Sequence, residues 1–132
     1  MPALPKLLVQ FLAIGLAGSL GAMLRYAITL LVPNSAFPFA TMLINVSGSL
    51  FLGWFATVFK DRVPPISDFT YLAIATGFVG AYTTFSTYML ETDTMVRDKE
   101  WLRTSAYLIG SLILGLIAVR AGFILGTLQR RA

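Results

Sequence analysis

The stretch Thr76-Gly77-Phe78-Val79-Gly80-Ala81-Tyr82-Thr83-Thr84-Phe85-Ser86-Thr87-Tyr88 sets hydroxyls, aromatic rings and glycines inside an otherwise apolar run. Glycine holds a helix poorly because of its backbone entropy, and clustered hydroxyl residues do so by competing for the backbone's own hydrogen bonds. A break at this point would free carbonyls and amides at membrane depth. Irregular backbone survives there only when it is buried in protein or lines a cavity. Freed carbonyls suit a hard cation. The alternative is a kinked structural helix whose hydroxyls bond to the preceding turn. Phe85 and Tyr88 are three apart and share a helical face. Aromatic edges are positive, so edges turned into a lumen favour an anion, while the plainer alternative is two rings packed in a bundle. No residue from Phe69 to Leu90 is charged at neutral pH, which leaves no carboxylate proton relay in that run.

Three further polar side chains stand out. Asn45 lies inside a second apolar run, where an unpaired amide costs about 1–3 kcal/mol. It must bond either to a neighbouring helix or to a permeant species. Arg25 either snorkels to the membrane interface or sits at a mouth where it draws anions. Glu91 is either a rim carboxylate or the end of a polar track that begins at Ser86 and Thr87.

Apolar helices must position these residues. The 132 residues are 57% hydrophobic and 12% charged, with a mean hydropathy of +0.78, against roughly 25% charge in an ordinary soluble domain. Leu7–Leu24, Tyr26–Phe59, Phe69–Leu90 and Thr104–Val119 contain no Asp, Glu, Lys or Arg. A helix that crosses a bilayer needs about 20 mostly apolar residues. The sequence therefore predicts an all-α integral membrane protein with four spans, near residues 7–32, 39–59, 68–95 and 101–128, the third of them broken. Pro33-Asn34, Lys60-Asp61-Arg62 with Pro64-Pro65, and Arg97-Asp98-Lys99-Glu100 mark the turns, and Ser67 or Asp68 caps the third span. Nothing in residues 1–132 suggests a second domain. Rows of small residues predict close helix contacts: Ala13, Ala17 and Gly21; Gly48 and Gly53; Ala118, Gly122 and Gly126.

Composition excludes several classes of function. Without Cys or His there are no disulfides, no thiol nucleophile and none of the commonest transition-metal ligands. The net charge of +4 reads as basic ends against anionic headgroups of the lipid bilayer rather than as a nucleic-acid surface. With four spans, Lys6, Lys60, Arg62, Arg120, Arg130 and Arg131 gather on one side, and Arg25, Arg97, Lys99 and Arg103 on the other. This bias is weak under the positive-inside rule, which points to insertion in both orientations and to an antiparallel pair. Size points the same way, because four helices pack around side chains and leave no shielded aqueous path of their own.

Gly77-Phe78-Val79-Gly80 followed by Thr83-Thr84-Phe85-Ser86-Thr87-Tyr88 resembles the third-helix signature of the Fluc/CrcB fluoride channels. Gly21-Ala22-Met23-Leu24-Arg25-Tyr26, the spacing Thr41…Asn45…Gly48, and Tyr107…Ser111 fit the same family in the same order. The resemblance implies an antiparallel, dual-topology homodimer that passively exports fluoride across the cell membrane, with a structural sodium ion at its interface. It assigns the sodium ligands to the backbone carbonyls of Gly80 and Thr83. The fluoride pathway would use Phe85 and Tyr88 as an aromatic box and Asn45 as a donor. Ser86, Thr87 and Glu91 would form a polar track, Tyr107 and Ser111 its wall, and Arg25 would stand in the vestibule. Tyr88 occupies a position where the family typically has phenylalanine, and Ala81 and Ala40 replace common glycines.

Two rival readings remain. A proton-coupled multidrug exporter needs an exchangeable carboxylate inside the membrane, and the first two spans contain none. A structural membrane subunit would use the same polar residues only to hold helices together. No nucleophile–base pair or metal cluster supports an enzyme.

Overall fold

A computed structural model describes residues 4–59 and 66–131, and every regular element among them is helical. Three helices are long and apolar enough to cross a membrane: α1 (Leu4–Leu31), α2 (Phe39–Phe59) and α6 (Trp101–Arg131). At 1.5 Å per residue even α2 reaches about 30 Å, the thickness of a hydrocarbon core. Between α2 and α6 the chain runs through α3 (Asp68–Leu72), a π-helical segment (Ala73–Val79), α4 (Gly80–Tyr82) and α5 (Phe85–Arg97). The expected turn at Lys60–Arg62 lies outside the described residues.

The caps agree with the sequence. Ser67 starts α3, its hydroxyl accepting from the Thr70 N–H at 3.1 Å. The turn after α5 is closed by Glu100 N–H to Met95 O and Lys99 N–H to Val96 O, both 3.0 Å. That pair defines a Schellman motif, with Lys99 at φ 59° in the position that glycine usually fills.

The broken segment changes partners at its break. Its first half (α3, the π-helical segment and α4) lies along α1, while α5 lies against α6 and α2. The tightest pair in the fold is α2 with α6. Small residues make both approaches possible. A Cβ at Gly21 would stand 2.1 Å from the Phe78 carbonyl oxygen, and one at Gly122 would stand 2.1 Å from the Leu50 carbonyl oxygen. The small-residue rows therefore serve close backbone contact, as expected.

The buried centre is Tyr88, Met95 and Tyr107, with Phe37, Met42, Met89 and Leu108 packed on it. Elsewhere large apolar side chains point outward, among them Leu12 and Leu16 on α1 and Leu116 and Ile117 on α6. An exposed apolar surface on this scale needs lipid or another protein to cover it.

Candidate functional site

The helix breaks at Thr83 and Thr84, which are extended (φ −79°, ψ 159° and φ −148°, ψ 118°). This corrects the role expected of the glycines. Gly80 is helical at φ −61°, ψ −35°, and Gly77 lies within the π-helical segment. Gly77 is small for packing, since a Cβ there would lie 2.7 Å from the Ile14 carbonyl oxygen. The hydroxyl residues open the backbone instead.

Asn45 holds the break open. Its Oδ1 accepts from the Thr84 N–H at 2.8 Å, and its Nδ2 donates to the Thr84 carbonyl at 3.0 Å. Thr84 then caps α5 with its own hydroxyl, which accepts from the Thr87 N–H at 3.2 Å and donates to Thr87 Oγ1 at 3.0 Å. In a continuous α-helix the Thr84 N–H would bond to the Gly80 carbonyl and the Thr87 N–H to the Thr83 carbonyl. Both donors are diverted, so the carbonyls expected to meet a cation lose their usual helical partners. Between the two readings of Asn45, its bonds fall on the neighbouring backbone.

A cavity of about 460 Å³ lies beside the break, lined by Asn45, Thr83, Thr84, Phe85, Tyr88 and Ser111 among others. Ser111 Oγ is buried there without a hydrogen-bond partner in the described structure. The two expected box rings stand 6.2 Å apart at 54° but differ in setting. Phe85 is 73% exposed and Tyr88 only 5%. The Tyr88 hydroxyl donates to the Leu108 carbonyl at 2.7 Å, and its ring meets Tyr107 edge-on with centroids 5.0 Å apart. The hydroxyl that distinguishes Tyr88 from phenylalanine is therefore tied to α6.

Glu91 is half-buried and hydrogen-bonded. Thr41 Oγ1 donates to Glu91 Oε1 at 2.8 Å, and the Tyr107 hydroxyl donates to Glu91 Oε2 at 2.6 Å. Thr41, Thr87 and Glu91 line a second cavity of about 560 Å³, together with Asp98, Glu100 and Arg103. Ser86 is exposed next to it in sequence, with its hydroxyl 3.4 Å from Thr84 Oγ1. Arg25 is half-buried on α1 and lines neither cavity.

The structure brings Asn45, Thr83, Phe85, Tyr88 and Ser111 to one cavity and Thr87 and Glu91 to the other, while Gly80, Ser86, Tyr107 and Arg25 line neither. The sequence reading carried Thr41 and Thr84 only as parts of motifs and Arg103 only as a loop charge, with no role in the site. Thr41 precedes Asn45 by one helical turn, and that spacing could have flagged it. The partners that give Thr84 and Arg103 their roles come from elsewhere in the fold, and the sequence does not show them.

Long apolar helices around a neutral polar break define a helical, multi-pass membrane protein. The chain belongs to the family described as "CrcB-like protein, Camphor Resistance (CrcB)", whose pattern matches residues 12–123. It is 42% identical over 120 residues to the "Fluoride-specific ion channel FluC" of Trichormus variabilis, covering 89% of this chain and 88% of the relative. It is 39% identical over 124 residues to "Fluoride-specific ion channel FluC 2" of Geobacillus kaustophilus (92% and 95% covered). Identity to the FluC of a Synechococcus strain is 37% over 129 residues (96% and 98% covered). The chain is accordingly a non-enzymatic protein of the cell membrane.

Proposed function

We propose that this protein is a passive, fluoride-selective channel that lets fluoride leave the cell. The observation that carries this reading is the break itself. Asn45 takes both polar groups of the Thr84 peptide, which leaves neighbouring carbonyls, hydroxyls and ring edges beside one uncharged cavity. The relatives reported above carry the name of fluoride-specific ion channels.

Fluoride is small and strongly hydrated, so a path must replace its water with several modest donors. A bare fixed cation on the path would hold it too long, because conduction needs weak binding at several sites. The neutral groups at Asn45, Ser86 and Thr87 and the ring edges of Phe85 and Tyr88 meet that need, with Glu91 at the end of the polar track and Tyr107 and Ser111 as wall.

The working unit we infer is an antiparallel, dual-topology homodimer of a single domain over residues 1–132, with four spans per subunit and the third one broken. Phe85 and Gly80 are open on the single chain, as a covering second copy requires. The carbonyls of Gly80 and Thr83 fit a hard cation because their helical donors are diverted. A sodium ion at the interface would be held by these carbonyls and would supply a fixed positive charge between the subunits. Arg25 keeps the vestibule role at the level of the family resemblance. Against a proton-coupled exporter stands Glu91, whose two oxygens are each occupied by a hydroxyl.

Liposomes loaded with potassium fluoride provide the test. Fluoride release on adding valinomycin, with no release from chloride-loaded vesicles, is the expected result. No fluoride release from well-incorporated protein would overturn the channel reading in favour of a structural subunit. Tags accessible from both membrane faces support dual insertion, and labelling from one face alone refutes it.

A further inference from the structure

The 560 Å³ cavity beside the polar track has an unusual charge balance for an anion route. Glu91, Asp98 and Glu100 line it, and Arg103 is the one basic side chain lining it among the described residues. Arg103 projects from the first turn of α6, and its Nη1 is ion-paired with Glu100 Oε2. Both side chains are about one-third exposed (37% and 35%), so the pair sits at the wall with access to solvent. Glu91 is already engaged by Thr41 and Tyr107. Hydrogen bonds from neutral hydroxyls leave the Glu91 charge in place, so an arriving anion meets Arg103 set against Glu91, Asp98 and Glu100.

We propose that Arg103 is a mouth cation, additional to Arg25 in the vestibule, that recruits the permeant anion into this cavity, and that its pairing with Glu100 restrains that recruitment. The proposal rests on the fluoride-channel reading. A charge in a low-dielectric cleft raises the local concentration of its counter-ion and steers its entry. Arg103 shares its cavity with Thr41, Thr87 and Glu91, so an anion drawn to it is delivered beside that polar track. Glu100 competes for the same guanidinium and adds an opposing charge. In an antiparallel homodimer each membrane face would carry one copy of this mouth.

Neutralising either side chain leaves the local backbone intact. The start of α6 is held through the Glu100 carbonyl, which accepts from the Thr104 N–H and Oγ1, both at 2.9 Å. Fluoride current across planar bilayers is the readout, taken where current rises linearly with fluoride so that entry limits the rate. A unit charge about 8 Å from the ion in water changes its local concentration about two- to threefold. Arg103→Gln should lower the current by about that factor at 10 mM total salt, Arg103→Lys should restore most of it, and Glu100→Gln should raise it by a similar factor. In 1 M impermeant salt the screening length is about 3 Å and all three should converge on the parent current. Lys99→Gln removes the same charge from a residue outside the cavity and serves as the control. Equal low-salt currents for the parent, Arg103→Gln and Glu100→Gln would overturn the proposal, as would an equally large effect from Lys99→Gln. A parent protein that conducts no fluoride would instead refute the channel reading on which it rests.

Discussion

Asn45→Ala removes the side chain that holds the break. In the native protein the Thr84 N–H and carbonyl are satisfied by Asn45 at 2.8 and 3.0 Å, and Thr84 is only 7% exposed. Each buried backbone group left without a partner costs about 1–3 kcal/mol, or about 2–6 kcal/mol for the pair. The neighbouring cavity of about 460 Å³ can admit water to the vacated space, and a bridging water recovers much of a lost hydrogen bond. We therefore expect destabilisation of about 2–4 kcal/mol. Equilibrium unfolding in mixed micelles measures it, and fluoride flux from liposomes measures the consequence, which should be severe loss. Asn45→Asp refines the reasoning, because a carboxylate can still accept from the Thr84 N–H but sets an oxygen against the Thr84 carbonyl. It should also lose flux. An Ala variant as stable as the parent would refute the claim that Asn45 holds the break. A destabilised variant with full flux would show Asn45 to be a strut and remove it from the pathway.

Tyr88→Phe deletes the hydrogen bond to the Leu108 carbonyl and should cost about 0.5–1.5 kcal/mol. Fluoride selectivity should persist, since that hydroxyl is tied to α6; the chloride-to-fluoride flux ratio checks this. Gly122→Ala places a methyl 2.1 Å from the Leu50 carbonyl oxygen and 2.7 Å from the Trp54 nitrogen. Both obstacles are backbone, so α2 and α6 must separate, at a cost of about 3 kcal/mol or more, visible as loss of monodisperse protein on size-exclusion chromatography. Lys99→Gly relieves a left-handed backbone at φ 59°. It should raise stability by about 0.5–1 kcal/mol after the entropy that glycine adds to the unfolded chain, read as a shift in the unfolding midpoint.

Much of the site was legible because its residues are chemically out of place. An amide at Asn45 and a hydroxyl run at Thr83–Thr87 have no reason to sit in apolar segments unless something binds them. The small-residue rows were legible for the same kind of reason, as periodic gaps in otherwise bulky helices. The location of the break was read less well. Gly77 and Gly80 are the weaker helix formers by propensity, yet both remain helical: α1 packs closely on Gly77, and Gly80 lies on the open side of the same stretch. The chain opens here because Asn45, a distant residue in sequence, takes the backbone N–H and carbonyl of Thr84, while the Thr83 N–H keeps its helical bond to the Val79 carbonyl.

The sequence alone determined the solvent and narrowed the chemistry. Four uncharged stretches demand lipid, and a chain without His or Cys leaves neutral donors, ring edges and backbone carbonyls as the means of handling an ion. Tertiary structure decided which groups are available. The Tyr88 hydroxyl is taken by Leu108, the Glu91 oxygens are taken by Thr41 and Tyr107, and Arg103 meets Glu100 in the cavity that holds Glu91. Hydrogen bonds act over about 3 Å and depend on direction. Their partners come from different helices, and only the packed arrangement brings those helices within reach.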